Sequence, residues 1–339
     1  MIEIYNYVFF IIIVFLLNLV LKKKNILINN TGQYHQTFTV NQKIPLSGGV
    51  MMIIFFYYHY DFLDLNFLFY LTIFFVIGIL ADLNLIKSPI YRFMIQSLFL
   101  LILIFDLGLY VNDIRIDFLN NILSNKYFNA FFIFLCFSIL LNGTNFIDGN
   151  NGLSLGYFLI ISIIIYRLIE DQKIFYETKI LLPFIFIILI LLFFNFLNKL
   201  YIGDNGVYLL VIFYGYLLID IYSKNSNISP YFIVNLLWYP AFETLFSILR
   251  KIKYNYSPMS PDTRHLHHLI FNYYVKKFNF SNKFSNSLTG LSINIYNFFI
   301  LIYGSFYLQE TKFQVLCIFI SVIIYVFLYF FLKRENYLK

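Results

Sequence analysis

Asn142-Gly143-Thr144-Asn145-Phe146-Ile147-Asp148-Gly149-Asn150-Asn151-Gly152 is a run of amides, glycines and one carboxylate between two apolar stretches, 127–142 and 153–168. Each flanking stretch is about long enough to cross a bilayer. Glycine lets a backbone approach a ligand closely, and amides with an acid supply donors, acceptors and a candidate metal ligand. The rest of the chain reads as a membrane scaffold expected to bring three further polar stretches to this one.

Composition supports the scaffold. The 339 residues are 60% apolar and 12% charged, against about 25% charged in soluble domains. The first apolar run, 4–21, is followed by Lys22-Lys23-Lys24. A cleaved signal would carry its charge before the apolar region and a small-residue cleavage site after it, so this run reads as a retained span. Cys136 and Cys317 lie inside apolar runs, without the spacing of a disulfide framework or a metal site.

Candidate spans are 4–21, 46–60, 66–81, 90–110, 127–142, 153–168, 179–197, 207–221, 231–249, 289–308 and 313–332. The expected fold is therefore all-α and polytopic, with about 11 transmembrane helices. The second span is short and the ninth is interrupted by Asn235, Pro240 and Glu243, so the alternative count is ten. No fixed-period repeat, P-loop or inter-domain linker is present, and 1–339 reads as a single membrane-embedded domain. Most of the 24 basic residues fall in alternate loops, including Lys22 to Lys24, Lys43, Lys87, Arg92, Lys199, Arg250, Lys251 and Lys253. The positive-inside rule then puts those loops in the cytoplasm, the C-terminus inside and the N-terminus outside. The net charge of +7 reports this topology, and no nucleic-acid partner is expected.

Asp82, Asp148 and Asp204 then sit at the inner ends of three spans. A carboxylate at a membrane boundary is costly without a cation or partner, so three on one face form a candidate site. The bland alternative is three unrelated helix caps. The basic cytoplasmic stretch 250–288 reads as a turn-rich loop and holds Arg264-His265-Leu266-His267-His268, three of the five histidines. No cysteine lies near to complete a zinc site. Histidines beside an arginine suit phosphate better.

Five motifs in order now resemble a known family. They are Ile44-Pro45-Leu46-Ser47-Gly48-Gly49; Gly78 to Leu83 with Ser88-Pro89 and Gln96; the opening stretch; Tyr201-Ile202-Gly203-Asp204-Asn205-Gly206; and Pro261-Asp262-Thr263-Arg264-His265-Leu266-His267-His268. The sequence resembles the polyprenyl-phosphate N-acetylhexosamine-1-phosphate transferases of glycosyltransferase family 4. These include the undecaprenyl-phosphate GlcNAc-1-phosphate transferases and the phospho-MurNAc-pentapeptide translocase. The resemblance implies a multi-pass enzyme of the bacterial cytoplasmic (inner) membrane with its site on the cytoplasmic face. Such an enzyme moves a sugar-1-phosphate from a UDP-N-acetylhexosamine to undecaprenyl or another polyprenyl phosphate, releases UMP, and uses Mg²⁺, with Mn²⁺ as a substitute. Its setting would be membrane lipid and surface-polysaccharide synthesis, often as a homodimer.

By motif position, the resemblance makes Asp204 a metal ligand and Asp148 a second metal-site or catalytic carboxylate. Asp82 would act as base or orienter for the lipid phosphate, and His265 is a further catalytic candidate. Lys43, Asn145, Asn151, Tyr201, Arg264, His267 and His268 would bind the nucleotide sugar. The family usually has Asp-Asp where this chain has Ala81-Asp82, often Asp where it has Asn151, and commonly Ser where it has Val207. Two other readings fit a multi-span polar protein: a lipid-linked-sugar flippase, and a catalytically inactive scaffold supported by Ala81.

Overall fold

The structure, a computed structural model, describes residues 2–29, 43–177, 179–255, 257 and 264–337. It is all-helical among those residues apart from one isolated bridge, Ile28 to Pro45. The helices are α1 (Ile2–Lys24), α2 (Gly48–Tyr58), α3 (Leu65–Asp82), α4 (Pro89–Asp106), α5 (Asp117–Leu123), α6 (Lys126–Ile147), α7 (Leu153–Glu170), α8 (Leu181–Phe196), α9 (Gly203–Lys224), α10 (Pro230–Leu236), α11 (Trp238–Lys253), α12 (Leu266–Phe278), α13 (Asn282–Phe306) and α14 (Thr311–Tyr337). Helices satisfy their own backbone groups, which lipid cannot do.

Among the described residues, α3, α4, α6, α7, α9, α13 and α14 are long and apolar enough to cross a membrane. The pair α10 and α11, bent by 75° at Leu237, would add an eighth if it is one span. Apolar α2 and α8 are shorter, and α1 has 23 residues. Each expected span thus falls on a helix or on the bent pair. These are the helices of a multi-pass membrane protein.

Three boundaries differ from the sequence expectation. Helix α6 runs on through Ile147, so Asn142 and Asn145 lie on its last turns and not in a loop. Helix α9 begins at Gly203, which puts Asp204 in its first turn. The stretch 250–288 is mostly helical: α11 reaches Lys253, His265 caps α12, and α13 starts at Asn282. The Pro261-Asp262-Thr263 part of the last motif lies outside the described residues.

The described residues form two compact units. The first holds α1 to α5, the part of α6 up to Ser138, the part of α7 from Ile165, and α8 and α9. Its core is α9, on which α2 and α3 pack. Phe56, Phe184 and Phe213 bring α2, α8 and α9 together, with ring centroids 4.5–5.3 Å apart. Small residues do the same at the other end of this core. A Cβ on Gly48 would lie 2.7 Å from the Ile202 Cα, and one on Gly49 or Gly78 would strike the Asn205 backbone. Without a hydrophobic drive between helices in lipid, such close backbone approach is what holds them. The glycines of two motifs therefore serve packing.

The second unit holds 139–164 and 226–339, with α10 to α14. Its interior carries a polar ladder. Asn235 Nδ2 donates to Gln314 Oε1 at 2.9 Å, and Gln314 Nε2 donates to the Gly304 carbonyl at 2.8 Å. Tyr157 donates to the Leu236 carbonyl at 2.8 Å, beside the break between α10 and α11. Pairing of this kind is what makes buried polar groups tolerable in an apolar bundle.

Candidate active site

In the first unit the site is built on the start of α9. Four amides at a helix start have no partner within the helix. Asp82, the last residue of α3, meets two of them: its carboxylate accepts from the Asp204 amide at 2.9 Å and the Asn205 amide at 3.0 Å. The Asn205 side-chain amide also donates to it. Asp82 is thus a cap, but for a helix other than its own. Gly203 makes the approach feasible. Its φ of +72° suits glycine, and a Cβ there would sit 2.7 Å from Asp82 Oδ2.

Asp204 leaves the same turn and is half-buried. Arg92, one turn into α4, donates from Nη1 to Asp204 Oδ2 at 2.7 Å, and Tyr208 donates to the same oxygen at 3.3 Å. Replacing Asp82 with Ala removes the cap, which typically costs about 1–2 kcal/mol. The expected result is a lower thermal midpoint of the purified protein, with the loss larger than for the exposed control Asp61→Ala.

Two expected residues of this unit do something plainer. Lys43 is exposed and donates to Asn25 Oδ1 at 2.7 Å. Tyr201 contributes its backbone: its carbonyl accepts from the Gly48 amide at 3.1 Å and its amide donates to the Pro45 carbonyl at 2.9 Å.

The second unit holds the opening stretch and the histidines. Asn145 is half-buried on α6, and Asp148 accepts from Ser154 Oγ at 2.5 Å. Asn286 on α13 serves as a clasp: its Oδ1 accepts from Asn150 Nδ2 at 2.7 Å and from the Asn151 amide at 3.1 Å. Asn294 Nδ2 donates to the Gly152 carbonyl at 2.7 Å. Gly290 has no room for a Cβ against the Asn151 carbonyl.

The three histidines are buried together. His265 and His267 lie nearly parallel with centroids 5.5 Å apart, and His267 and His268 are 4.2 Å apart. Phe146 packs on His265 at 4.7 Å, and a Cβ on Gly149 would lie 3.0 Å from His267 Nε2. The histidine helix is therefore seated on the opening stretch. Burial, then the neighbouring His268 and His265, holds His267 well below the ordinary histidine range, so it is neutral. Among the described residues neither of its ring nitrogens has a hydrogen-bond partner. The Arg264 carbonyl accepts from Arg250 Nη1 at 2.9 Å, which fixes the entry to α12.

The structure thus brings Asp82 and Asp204 together in one unit, and Phe146, Gly149 and the histidines together in the other. Residues 65–222 match the family model described as glycosyl transferase family 4. This match supports a transferase of that family's general kind. The matched stretch includes Asp82, Asp148, Asp204 and the opening stretch, whereas Lys43 and the histidines lie outside it. No curated protein matches the chain.

Sequence reading missed Arg92, which it counted only as a topological charge, and Glu243, which it took only as an interruption. Arg92 had a signal, standing one helical turn after Ser88-Pro89 in the second motif. Glu243 had another, as an acid inside an apolar helix without an adjacent base.

Among the described residues no three His, Cys, Asp or Glu side chains form a metal cage. Mg²⁺ does not need one: it keeps waters and binds one or two carboxylates plus substrate phosphates. Asp204 suits that donor set, being a half-buried carboxylate with one oxygen already facing a cation.

Proposed function

We propose that the chain transfers an N-acetylhexosamine-1-phosphate from a UDP-sugar to undecaprenyl phosphate or a related polyprenyl phosphate, releasing UMP. The observation that carries this reading is the Arg92–Asp204 pair at the start of α9, inside the matched stretch. It offers a carboxylate for a divalent cation and a guanidinium for a phosphate. In the reaction an oxygen of the lipid phosphate attacks the phosphorus that bears the sugar. The bond from that phosphorus to the bridging oxygen breaks, and the electron pair leaves on UMP. Phosphoryl transfer depends mainly on positioning and on neutralising spread charge. Mg²⁺, when bound, would supply that neutralisation, and Asp204 would hold it. Asp82 holds the first turn of α9, and so Asp204, in place. Asn145 and Asn151 would receive the nucleotide, with Arg264, His267 and His268 at the phosphates and sugar.

The same reading takes residues 1–339 as one membrane domain of eleven spans, with the N-terminus outside and these residues at the cytoplasmic face of a bacterial inner membrane. A UMP-release assay with polyprenyl phosphate, Mg²⁺ and a panel of UDP-HexNAc donors tests it. UMP from at least one donor is expected, and none from any would sink the enzyme reading.

One observation favours a second reading, an inactive scaffold. The family's usual paired acid is Ala81 here, and the acid that remains has both oxygens engaged by α9. If Ala81→Asp creates UMP release where the wild type has none, the scaffold reading holds. If the wild type is active and Ala81→Asp changes its rate little, one acid suffices.

A further inference from the structure

Glu243 lies inside α11 with no exposed surface. A buried carboxylate is expensive unless hydrogen bonds satisfy it. This one has two partners from two other segments. Tyr325 on α14 donates its hydroxyl to Oε2 at 2.8 Å, and His265 Nδ1 lies 2.8 Å from Oε1. Tyr325 is buried as well and is wedged between Phe242 and Phe246, which fixes its hydroxyl. Where the carboxylate is ionised it only accepts, and the hydrogen of the short contact is then on His265 Nδ1. Nε2 is the nitrogen left over, and it has no hydrogen-bond partner among the described residues. Phe146 on one face and the parallel His267 ring hold the imidazole plane.

We propose that Glu243, steadied by Tyr325, is a positioning residue that fixes His265 with Nδ1–H on the carboxylate and Nε2 turned to substrate. This rests on the transfer reaction proposed above. With both nitrogens carrying hydrogen, the ring donates from Nε2 to a phosphate oxygen whose charge grows as UMP leaves. The Glu243 carboxylate compensates the ring's charge at that moment. The pair is then worth more in the transition state than in the bound ground state, and its loss falls on kcat and not on KM.

Two measurements test this. In the whole protein, ¹⁵N-imidazole labelling gives signals from only five histidines, and His265→Gln assigns the pair of interest. Expected is a hydrogen-bearing Nδ1 on His265 whose resonance moves in Glu243→Ala. An Nδ1 without hydrogen in the wild type overturns the proposal. In the UMP-release assay, Glu243→Gln keeps the shape and an acceptor but removes the charge. For metal-bound histidines the loss of such an orienting partner costs about 10–100-fold, and kcat should fall by a similar order here with KM for the UDP-sugar little changed. Tyr325→Phe should show the same pattern at smaller size. A wild-type kcat in Glu243→Gln overturns the proposal. Absence of UMP from the wild type would instead defeat the transfer reaction, and the labelling result still decides whether the carboxylate holds the ring.

Discussion

Asp204→Asn should lower UMP release by about 10²–10³-fold or more, the usual loss when a group that stabilises developing charge is removed, while the thermal midpoint changes little. Asn keeps the size of the side chain and is tolerated in the first turn of a helix. It also leaves Asp82 in place on the Asp204 and Asn205 amides. What disappears is the negative charge that faces Arg92 at 2.7 Å. If Asp204 binds the divalent cation, the variant should also need much more Mg²⁺ for half-maximal rate. Full activity at ordinary Mg²⁺ would remove Asp204 from the site. Arg92→Gln is the companion measurement. It should raise KM for the UDP-sugar if the guanidinium meets a phosphate, and leave KM alone if Arg92 only neutralises Asp204.

The second large effect is on folding. Gly78→Val should prevent recovery of a monodisperse protein, and Gly78→Ala should cost about 1–3 kcal/mol, the range for forcing atoms into a packed core. The neighbour that a Cβ would strike is backbone, the Asn205 Cα and amide, and not the end of a flexible side chain. Backbone there cannot retreat cheaply, because the same amide is bonded to Asp82 at 3.0 Å. Size-exclusion profiles and thermal melts of the two variants check this. A Gly78→Val protein that melts like the wild type would mean that α3 and α9 are not packed this closely.

Much of the fold was legible because lipid imposes a crude rule, namely long apolar runs separated by charge. Helix ends were less so. The run 127–142 stops where Asn142 begins, yet α6 continues to Ile147 because a polar residue inside a helix end costs little when the helix can still close its hydrogen bonds. Likewise the proline-rich, basic stretch after Arg250 read as a loop, while α12 starts immediately after His265.

For the site, the motif order pointed to Asp82 and Asp204, and these two do meet. That Asp82 would cap the helix bearing Asp204 could not be read, since a cap supplied from another helix has no local spacing. The partners of Glu243 were unreadable for the same reason. They stand 22 and 82 residues away along the chain, and only folding sets them beside it.

The Asn286 clasp bears on how the chain could be divided. The match to the family model ends at residue 222, yet the backbone of Asn151 and the side chain of Asn150 are completed by a residue far beyond that limit. The boundary of likeness is therefore not a boundary of autonomy. A fragment cut at 222 would keep the opening stretch but lose Asn286 and Asn294, and with them the groups that hold that stretch in shape.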